Sequence, residues 1–414
     1  MADLAFATRA LRSRNFKLFF AGQGVSLVGT WMTRIAMSWL VYRLTGSAAL
    51  LGVVGFASQI PAFVLGPIAG VWIDRWNRHK TVVWTQALSM VQSFALAVLT
   101  LAHVITVWEI VALALMQGLI NAIDMPARQS FTIEMVERRE DLGNAIALNS
   151  SMVNGARLVG PAIAGVVVAT VGEGYCFLAD GISYIAVVFA LLMMRTAPEG
   201  AVKPRKAVWT EVRDGWRYVV ASAPIRSILV NLSVVSLFGV PYSVLMPIFA
   251  AQVLKGGAHT LGFLMASTGV GALAGAVGLA ARRSDVVQGL GKRIVWMTAL
   301  FGAALIAFSF SKMLWLSILL LPIAGFGMMQ QLASSNTVLQ TIVDDEKRGR
   351  VMAFYSMAFQ GMAPFGSLLA GSLAARAGAP ITVTVSGAAC LLGSLWFGRQ
   401  LKVIEPALVR SEVL

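Results

Sequence analysis

Three charged side chains lie where charge is hardest to keep. Arg34, Arg157 and Asp180 each sit well inside a long apolar run. A guanidinium cannot shed its proton, so each arginine needs an anion, several carbonyls or water. A carboxylate beside such an arginine suits an ionic clamp or a proton carrier. By residue count Arg34 and Asp180 lie at similar depth, and an Arg34–Asp180 pair is the first geometric expectation. Asp180 and Asp124 are the two candidates for binding a transferable proton.

Uncharged polar residues recur around them at helical spacing. One set is Gln23, Thr30, Arg34 and Ser38; others are Gln117, Asn121, Asp124 and Arg128, and Ser150, Asn154, Arg157 and Pro161. In the second half come Asn231, Phe238 and Tyr242, then Gln330, Ser334, Thr337 and Thr341, then Ser356, Gln360 and Ser367. Offsets of 4, 7 and 11 hold residues on one helical face. Such a face turns inward to a cavity or a partner helix, because polar groups are costly in hydrocarbon. For any one Ser, Thr, Asn or Gln the plainer role is a bond to a backbone carbonyl or a neighbouring helix. The runs at 81–102, 294–311 and 379–398 show fewer polar residues and are expected to be lipid-facing supports.

Other chemistry lacks its parts. His79, His103 and His259 are far apart, with no His-Glu-x-x-His and no carboxylates clustered on one helix, so neither metal nor acid/base catalysis is implied. No Gly-x-x-x-x-Gly-Lys-Ser/Thr loop offers a phosphate site. Cys176 and Cys390 both fall in apolar runs, and no disulfide framework is expected. No cofactor, no metal and no enzymatic activity are expected.

The elements that must position these residues are apolar blocks. The chain has 414 residues, of which 57% are hydrophobic and 13% charged, with mean hydropathy +0.76. Soluble chains carry about 25% charged residues. The apolar residues fall at roughly 16–43, 50–72, 81–102, 107–124, 142–170, 175–195, 225–250, 260–281, 294–311, 313–342, 351–375 and 379–398. Each meets the length of about 20 residues that a helix needs to cross a bilayer. The fold expected is an all-α membrane protein of twelve transmembrane helices. The fifth and tenth blocks are long enough to tilt or project beyond the bilayer.

Orientation follows from basic residues. With both termini in the cytoplasm, inner segments hold 27 of the 33 Lys and Arg, whereas outer ones hold only Arg43, Lys255, Lys312 and Arg376. The positive-inside rule selects that topology. The net charge of +14 is therefore spread over short membrane-edge loops, and nucleic acid is not an expected partner. The longest polar stretch, 196–224, begins as a basic linker and continues with Trp209, Val212, Trp216 and Val219 at helical spacing, a short amphipathic helix for the inner surface. It divides the chain into six-helix bundles at 1–195 and 225–414. The bundles repeat one another: Pro161 and Pro364 are 203 residues apart, each preceded by a charged turn, Glu137–Glu140 and Asp344–Lys347. A midpoint offset of this kind is what duplicated transporter halves leave behind.

Between the second and third blocks runs Gly70-Val-Trp-Ile-Asp74-Arg75-Trp-Asn77-Arg78-His-Lys80. This loop resembles the Gly-x-x-x-Asp-Arg/Lys-x-Gly-Arg-Arg/Lys motif of the major facilitator superfamily. Asn77 stands where the family has Gly, and tolerance of the left-handed conformation is the reason expected for it. Ala156-Arg157-Leu-Val-Gly160-Pro161-Ala-Ile-Ala-Gly165 resembles the superfamily's antiporter motif, with two of its glycines replaced by alanine. Gly160, Pro161 and Gly165 are expected to bend and closely pack that helix. Asp124-Met-Pro126-Ala-Arg128, Asn144-Ala-Ile-Ala-Leu-Asn149 and Gly349-Arg350-Val-Met-Ala-Phe-Tyr355 look like the bacterial branch of enterobactin exporters and macrolide-type drug exporters.

What the resemblance implies is a secondary transporter in the bacterial cytoplasmic membrane. It would export a small amphipathic, drug- or siderophore-like molecule by alternating access, with proton antiport as the drive. Gly70, Asp74, Arg75, Arg78, Asp124 and Arg128 would form its cytoplasmic gate, Arg75 engaging Asp124. The substrate cavity would draw on Gln23, Thr30, Arg34, Gln117, Asn121, Asn154, Arg157, Asn231, Phe238, Tyr242, Gln330, Ser334, Thr337 and Gln360. Lysophospholipid flipping is the alternative within the same fold; a passive channel or membrane enzyme ranks below both. Its partners would be the substrate, the bilayer and protons, and a monomer is expected.

Overall fold

The computed structural model describes residues 8–73, 76–195, 208–280 and 289–412. Among these every regular element is helical. In chain order they are α1 Arg14–Thr45, α2 Ala48–Ile73, α3 Arg78–Leu101, α4 Val107–Met135, α5 Leu142–Thr170, α6 Glu173–Leu192, α7 Val208–Ala221, α8 Ala223–Val234, α9 Ala258–Ala280, α10 Leu290–Ser309, α11 Leu314–Ile342, α12 Asp345–Ser356, α13 Ala363–Ala377 and α14 Ala379–Glu412. π-helical and 3₁₀ turns carry α8 on to Val253, through Pro241 and Pro247, and another π turn, Met357–Gly361, joins α12 to α13. The π turns Val235–Gly239 and Met357–Gly361 meet where Ser236 Oγ donates to the Phe359 carbonyl. That contact answers one backbone acceptor of the interrupted helix.

Among the described residues ten helical stretches are long and apolar enough to cross a bilayer: those in α2 to α6, Ala223–Val253, and those in α9, α10, α11 and α14. The remaining expected spans, α1 and the α12–α13 stretch, are of matching length. They carry the polar sets around Arg34 and Gln360, which lower their hydropathy. The protein is thus a multi-pass membrane protein whose apolar surface faces outward: Trp84, Trp108, Trp296, Phe310 and Trp315 are all exposed. Trp108 and Trp315 occupy the second position of α4 and of α11, and indole rings suit the membrane–water boundary.

Contacts divide the chain into two units. Unit 1 comprises 1–45, 60–204 and 257–262; unit 2 comprises 46–59, 205–256 and 263–414. These follow the two sequence halves except at the start of α2 and the start of α9, which each belong with the opposite half.

In unit 1, α1 packs on α5 and α6, and α3 on α4 and α6. The ends are fastened by polar ties. Arg43 at the end of α1 donates Nε to Glu173 Oε1 at 2.7 Å and Nη2 to Oε2 at 3.2 Å. Arg9 holds Asp141 at 3.1 Å before α5. Thr106 and Glu109 form a capping box on α4, the Thr106 amide donating to Glu109 Oε2 at 2.7 Å, which satisfies donors at the helix start.

In unit 2, α10 packs on α11 and α14. The expected amphipathic helix is α7, and it docks on α12. Its Trp216 ring lies 5.9 Å from Phe354, Tyr218 donates to Asp344 at 3.4 Å, and Val219 enters the core with Ile225, Ile228 and Val351. The linker 196–207 and the side chains of Trp209 and Val212 lie outside the described residues.

Candidate functional site

The centre of unit 1 is built by α1, α3, α4 and α6. Asp180, on α6, is buried. Its Oδ2 accepts from Thr33 Oγ1 of α1 at 2.9 Å and from Ser93 Oγ of α3 at 2.9 Å. Its Oδ1 has no donor among the described residues. A Cβ built at Gly29 would lie 2.7 Å from that oxygen, so α1 presents bare backbone there. On the next turn of α6, the Tyr184 hydroxyl meets Thr30 Oγ1 at 3.2 Å.

Arg34 does not pair with Asp180. The two are close enough to interact electrostatically, but no ion pair forms between them, and the carboxylate is held by hydroxyls instead. The Arg34 guanidinium lies 4.8 Å from the Trp31 ring centroid and Arg157 lies 5.7 Å from the same ring. Arg34 is exposed and Arg157 and Trp31 are half-buried. An indole within 6 Å of two guanidiniums contributes cation–π stabilisation. The Arg34 guanidinium stays exposed there.

The second centre is Asp124 on α4, also buried. Its Oδ1 accepts from Thr85 Oγ1 at 2.6 Å and Gln86 Nε2 at 2.8 Å, both from α3. Arg128, one turn on, lies 2.7 Å from its Oδ2. Asp74 and Arg75 lie outside the described residues, as do the surroundings of Gly70 within α2. Arg78 pairs with Glu134 of α4 at 2.5 Å. Asn77 departs from expectation. Its φ is −63° and its side chain accepts from the Lys80 amide at 2.8 Å. Asn77 is the N-cap of α3, which is why a short polar side chain serves there.

Helix α3 is a larger correction. It was expected to be a lipid-facing support, yet Thr85, Gln86, Ser89, Gln92, Ser93 and Thr100 are all buried. Spaced three and four apart, five of them point at α4 and α6. The same helix shows Trp84, Leu88, Val91 and Val98 to the outside, which makes its average apolar and masks the buried polar face. Taking the 3.6-residue period through Thr85, Ser89 and Gln92 was the available signal.

The expected cavity residues divide by burial. Gln117 and Asn121 are half-buried and bonded to each other at 3.2 Å, and Gln117 also donates to Ser89. Asn154 is half-buried and donates to the Ser150 carbonyl. Phe238 and Thr30 are half-buried, whereas Thr337 and Gln360 are exposed. Others sit inside helix contacts, which corrects their placement on an open face. Gln23 is buried, with Oε1 lacking a donor. Asn231 donates to Thr298 at 3.3 Å, and Tyr242 packs edge-on against Phe301 at 6.1 Å. Gln330 accepts from Arg293 at 2.8 Å and donates to the Gly275 carbonyl at 2.7 Å, tying α9, α10 and α11 together. Ser334 is fully buried. The bonds of Asn231 and Gln330 are of the interhelical kind that amides commonly make in membranes.

Pro161 lies within the unbroken helix α5, and the glycines beside it serve close approach. A Cβ at Gly160 would stand 2.5 Å from Trp31 Cβ, and one at Gly165 would stand 2.9 Å from Gly262 Cα. Gly165→Leu is therefore expected to cost at least ~1–3 kcal/mol, the usual range for overpacking. Gly155→Leu, whose Cβ meets nothing within 4 Å, should leave thermal unfolding of the purified protein nearly unchanged. Equal melting temperatures for the two variants would contradict the close contact.

Residues 5–410 match the family model described as transmembrane secretion effector. The staphyloferrin A transporter of Staphylococcus aureus (strain NCTC 8325 / PS 47) is 26% identical over 401 residues, covering 94% of this chain and 97% of that protein. The multidrug efflux pump Tap of Mycolicibacterium fortuitum is 28% identical over 362 residues, covering 84% and 87%. Among solved structures, an auto-inhibited POT family peptide transporter superposes with a TM-score of 0.73 at 13% identity, over 94% of this chain and 97% of that one; this shows the fold alone. A family match across nearly the whole chain makes the protein a member of the transmembrane secretion effector family of the major facilitator superfamily.

Proposed function

We propose that this protein exports a small amphipathic molecule from the bacterial cytoplasm by proton antiport, through alternating access of its two six-helix halves. The observation that carries this reading is in unit 1. An intramembrane carboxylate, Asp180, is held by two hydroxyls and leaves one oxygen without a donor, beside an open face bearing Arg34, Trp31 and Arg157. The carboxylate suits a proton carrier and the open face suits a substrate. In this reading twelve helices cross the membrane with both termini in the cytoplasm, the protein acts as a monomer, and the segment Gly70–Arg78 with Asp124 and Arg128 forms the cytoplasmic gate.

The guanidinium of Arg34 favours a substrate with an anionic or oxygen-rich group, as the similarity to a staphyloferrin A transporter also suggests. The Trp31 ring suits its apolar or planar part. Binding of staphyloferrin A and of ethidium to the purified protein tests this. Arg34→Ala is expected to weaken staphyloferrin A binding by roughly 10- to 100-fold, the worth of one charge-assisted hydrogen-bonded contact, and to leave ethidium binding unchanged. An Arg34→Ala protein that binds staphyloferrin A as tightly as the parent removes Arg34 from the site.

A further inference from the structure

The two buried carboxylates of unit 1 are joined by a polar seam inside the protein. At one end, Asp124 takes Thr85 and Gln86 of α3. One turn along α3, Ser89 Oγ accepts from Gln117 Nε2 at 3.2 Å, and the same amide reaches Asn121 Oδ1 at 3.2 Å. One turn further, Ser93 Oγ meets Gln92 Oε1 at 3.5 Å and donates to Asp180 at 2.9 Å. Gln86, Ser89 and Ser93 are thus consecutive steps of one stripe. From Gln86 to Ser93 is seven residues, about 10 Å along a helix axis.

Three acceptors along this stripe have no donor among the described residues: Gln86 Oε1, Gln117 Oε1 and Asp180 Oδ1. A buried acceptor without a donor is rare, and an ordered water is its usual partner in a polar interior. Three of them, spaced along a line of hydroxyls between two carboxylates, define positions for a file of water. The Tyr184 hydroxyl, which meets Thr30 Oγ1 at 3.2 Å, interacts electrostatically with both Asp180 and Asp124. The interior face of α3 carries this polarity with no opening required to the face that bears Arg34.

We propose that the α3–α4 seam from Asp124 through Ser89 to Asp180 is a proton path, separate from the substrate's contact surface at Arg34 and Trp31. This rests on the proton-antiport reading above and names the residues that carry it. Each relay step moves one proton. A hydroxyl of Thr85, Ser89 or Ser93, or a water between them, gives its proton to the next oxygen and receives one from the preceding oxygen. After one passage the seam is unchanged, one carboxylate has lost a proton and the other has gained it. Gln86 and Gln117 do not titrate; they fix water through Oε1. The charged and titratable groups facing Asp180 are Arg34 from α1 and Cys176 and Tyr184 from α6, and Asp124 faces Arg128 and Tyr184. Gln86 and Gln117 are positioning residues in this scheme, and the hydroxyls of Thr85, Ser89 and Ser93 are its relay groups.

The test uses the intact purified protein and reads protons without needing a substrate. Infrared spectroscopy follows the carboxyl band assigned by its loss in Asp180→Asn, and its exchange rate after transfer to D₂O is measured. Ser89→Ala and Gln117→Leu are each expected to slow that exchange by about a hundredfold, the usual worth of a positioned proton-transfer group. Ser89→Thr, which restores a hydroxyl, should recover it. Melting temperatures near that of the parent show that each variant is folded, and ethidium binding of Ser89→Ala should be unchanged, since Ser89 is buried and does not touch Arg34 or Trp31. Exchange at the parent rate in both Ser89→Ala and Gln117→Leu overturns the path, as does slow exchange that Ser89→Thr leaves uncorrected. The antiport reading fails separately, if the unsubstituted protein accumulates its substrate without regard to a pH gradient.

Discussion

Asp180→Asn should abolish gradient-driven accumulation of substrate in inverted membrane vesicles while leaving the protein folded. Asparagine keeps the size of the side chain and an oxygen to accept from Thr33 and Ser93, so melting should shift little. It cannot carry a proton, and the coupled rate is expected to fall by on the order of 100-fold or more, as for removal of a positioned acid or base. Downhill exchange of substrate, which needs no proton, should persist. Asp180→Ala makes the structural comparison. It strands two buried hydroxyls at about 1–3 kcal/mol each, so it should lose stability as well as coupling. An Asp180→Asn protein that accumulates substrate like the parent would show that the carboxylate serves packing alone.

The second large effect is expected at Asp124. Asp124→Ala removes the acceptor of Thr85 and Gln86 and the counter-charge of Arg128 at once. Breaking a buried ion pair from one side costs about 3–5 kcal/mol. The Arg128 side chain keeps 23% exposure, so the lower part of that range is expected. Adding Arg128→Ala should return part of the loss, because the orphaned charge goes with it; the hydroxyl and amide of α3 remain unsatisfied. SDS or thermal unfolding of the two single variants and the double variant gives the coupling directly. Additive losses would mean that Asp124 and Arg128 act independently.

Most of the fold was legible in the sequence because a bilayer imposes length and apolarity on each element separately. α2, α5 and α11 lie on their apolar blocks for that reason, and α7 lies where Trp209, Val212, Trp216 and Val219 recur at helical spacing with Arg213 and Arg217 interleaved. Pro161 and Pro364, the residues of the expected midpoint repeat, lie in α5 and α13. Partner choice was less legible. Arg34 and Asp180 share depth but not a bond, because Thr33 and Ser93 are nearer the carboxylate and nothing in a one-dimensional pattern ranks them. α3 was misjudged since its outward face outweighs its buried Gln86, Ser89 and Ser93 in any average. Gln330 and Asn231 looked like cavity residues and are interhelical ties; an inward stripe has the same spacing whether it meets a cavity or another helix. The assignment of 46–59 and 257–262 to the opposite units depends on close approach at positions such as Gly165 and Gly262, which is a property of pairs and not of either helix alone.

Transport into inverted vesicles under an imposed pH gradient addresses proton-coupled export most directly. Vesicles containing the protein, acidic inside, are given ethidium or staphyloferrin A, and accumulation is followed before and after the gradient is collapsed with a protonophore. Accumulation of at least one of the two that rises with the gradient, discharges when it collapses and disappears in Asp180→Asn is the expected result. Accumulation that is unchanged by collapse of the gradient would contradict proton antiport.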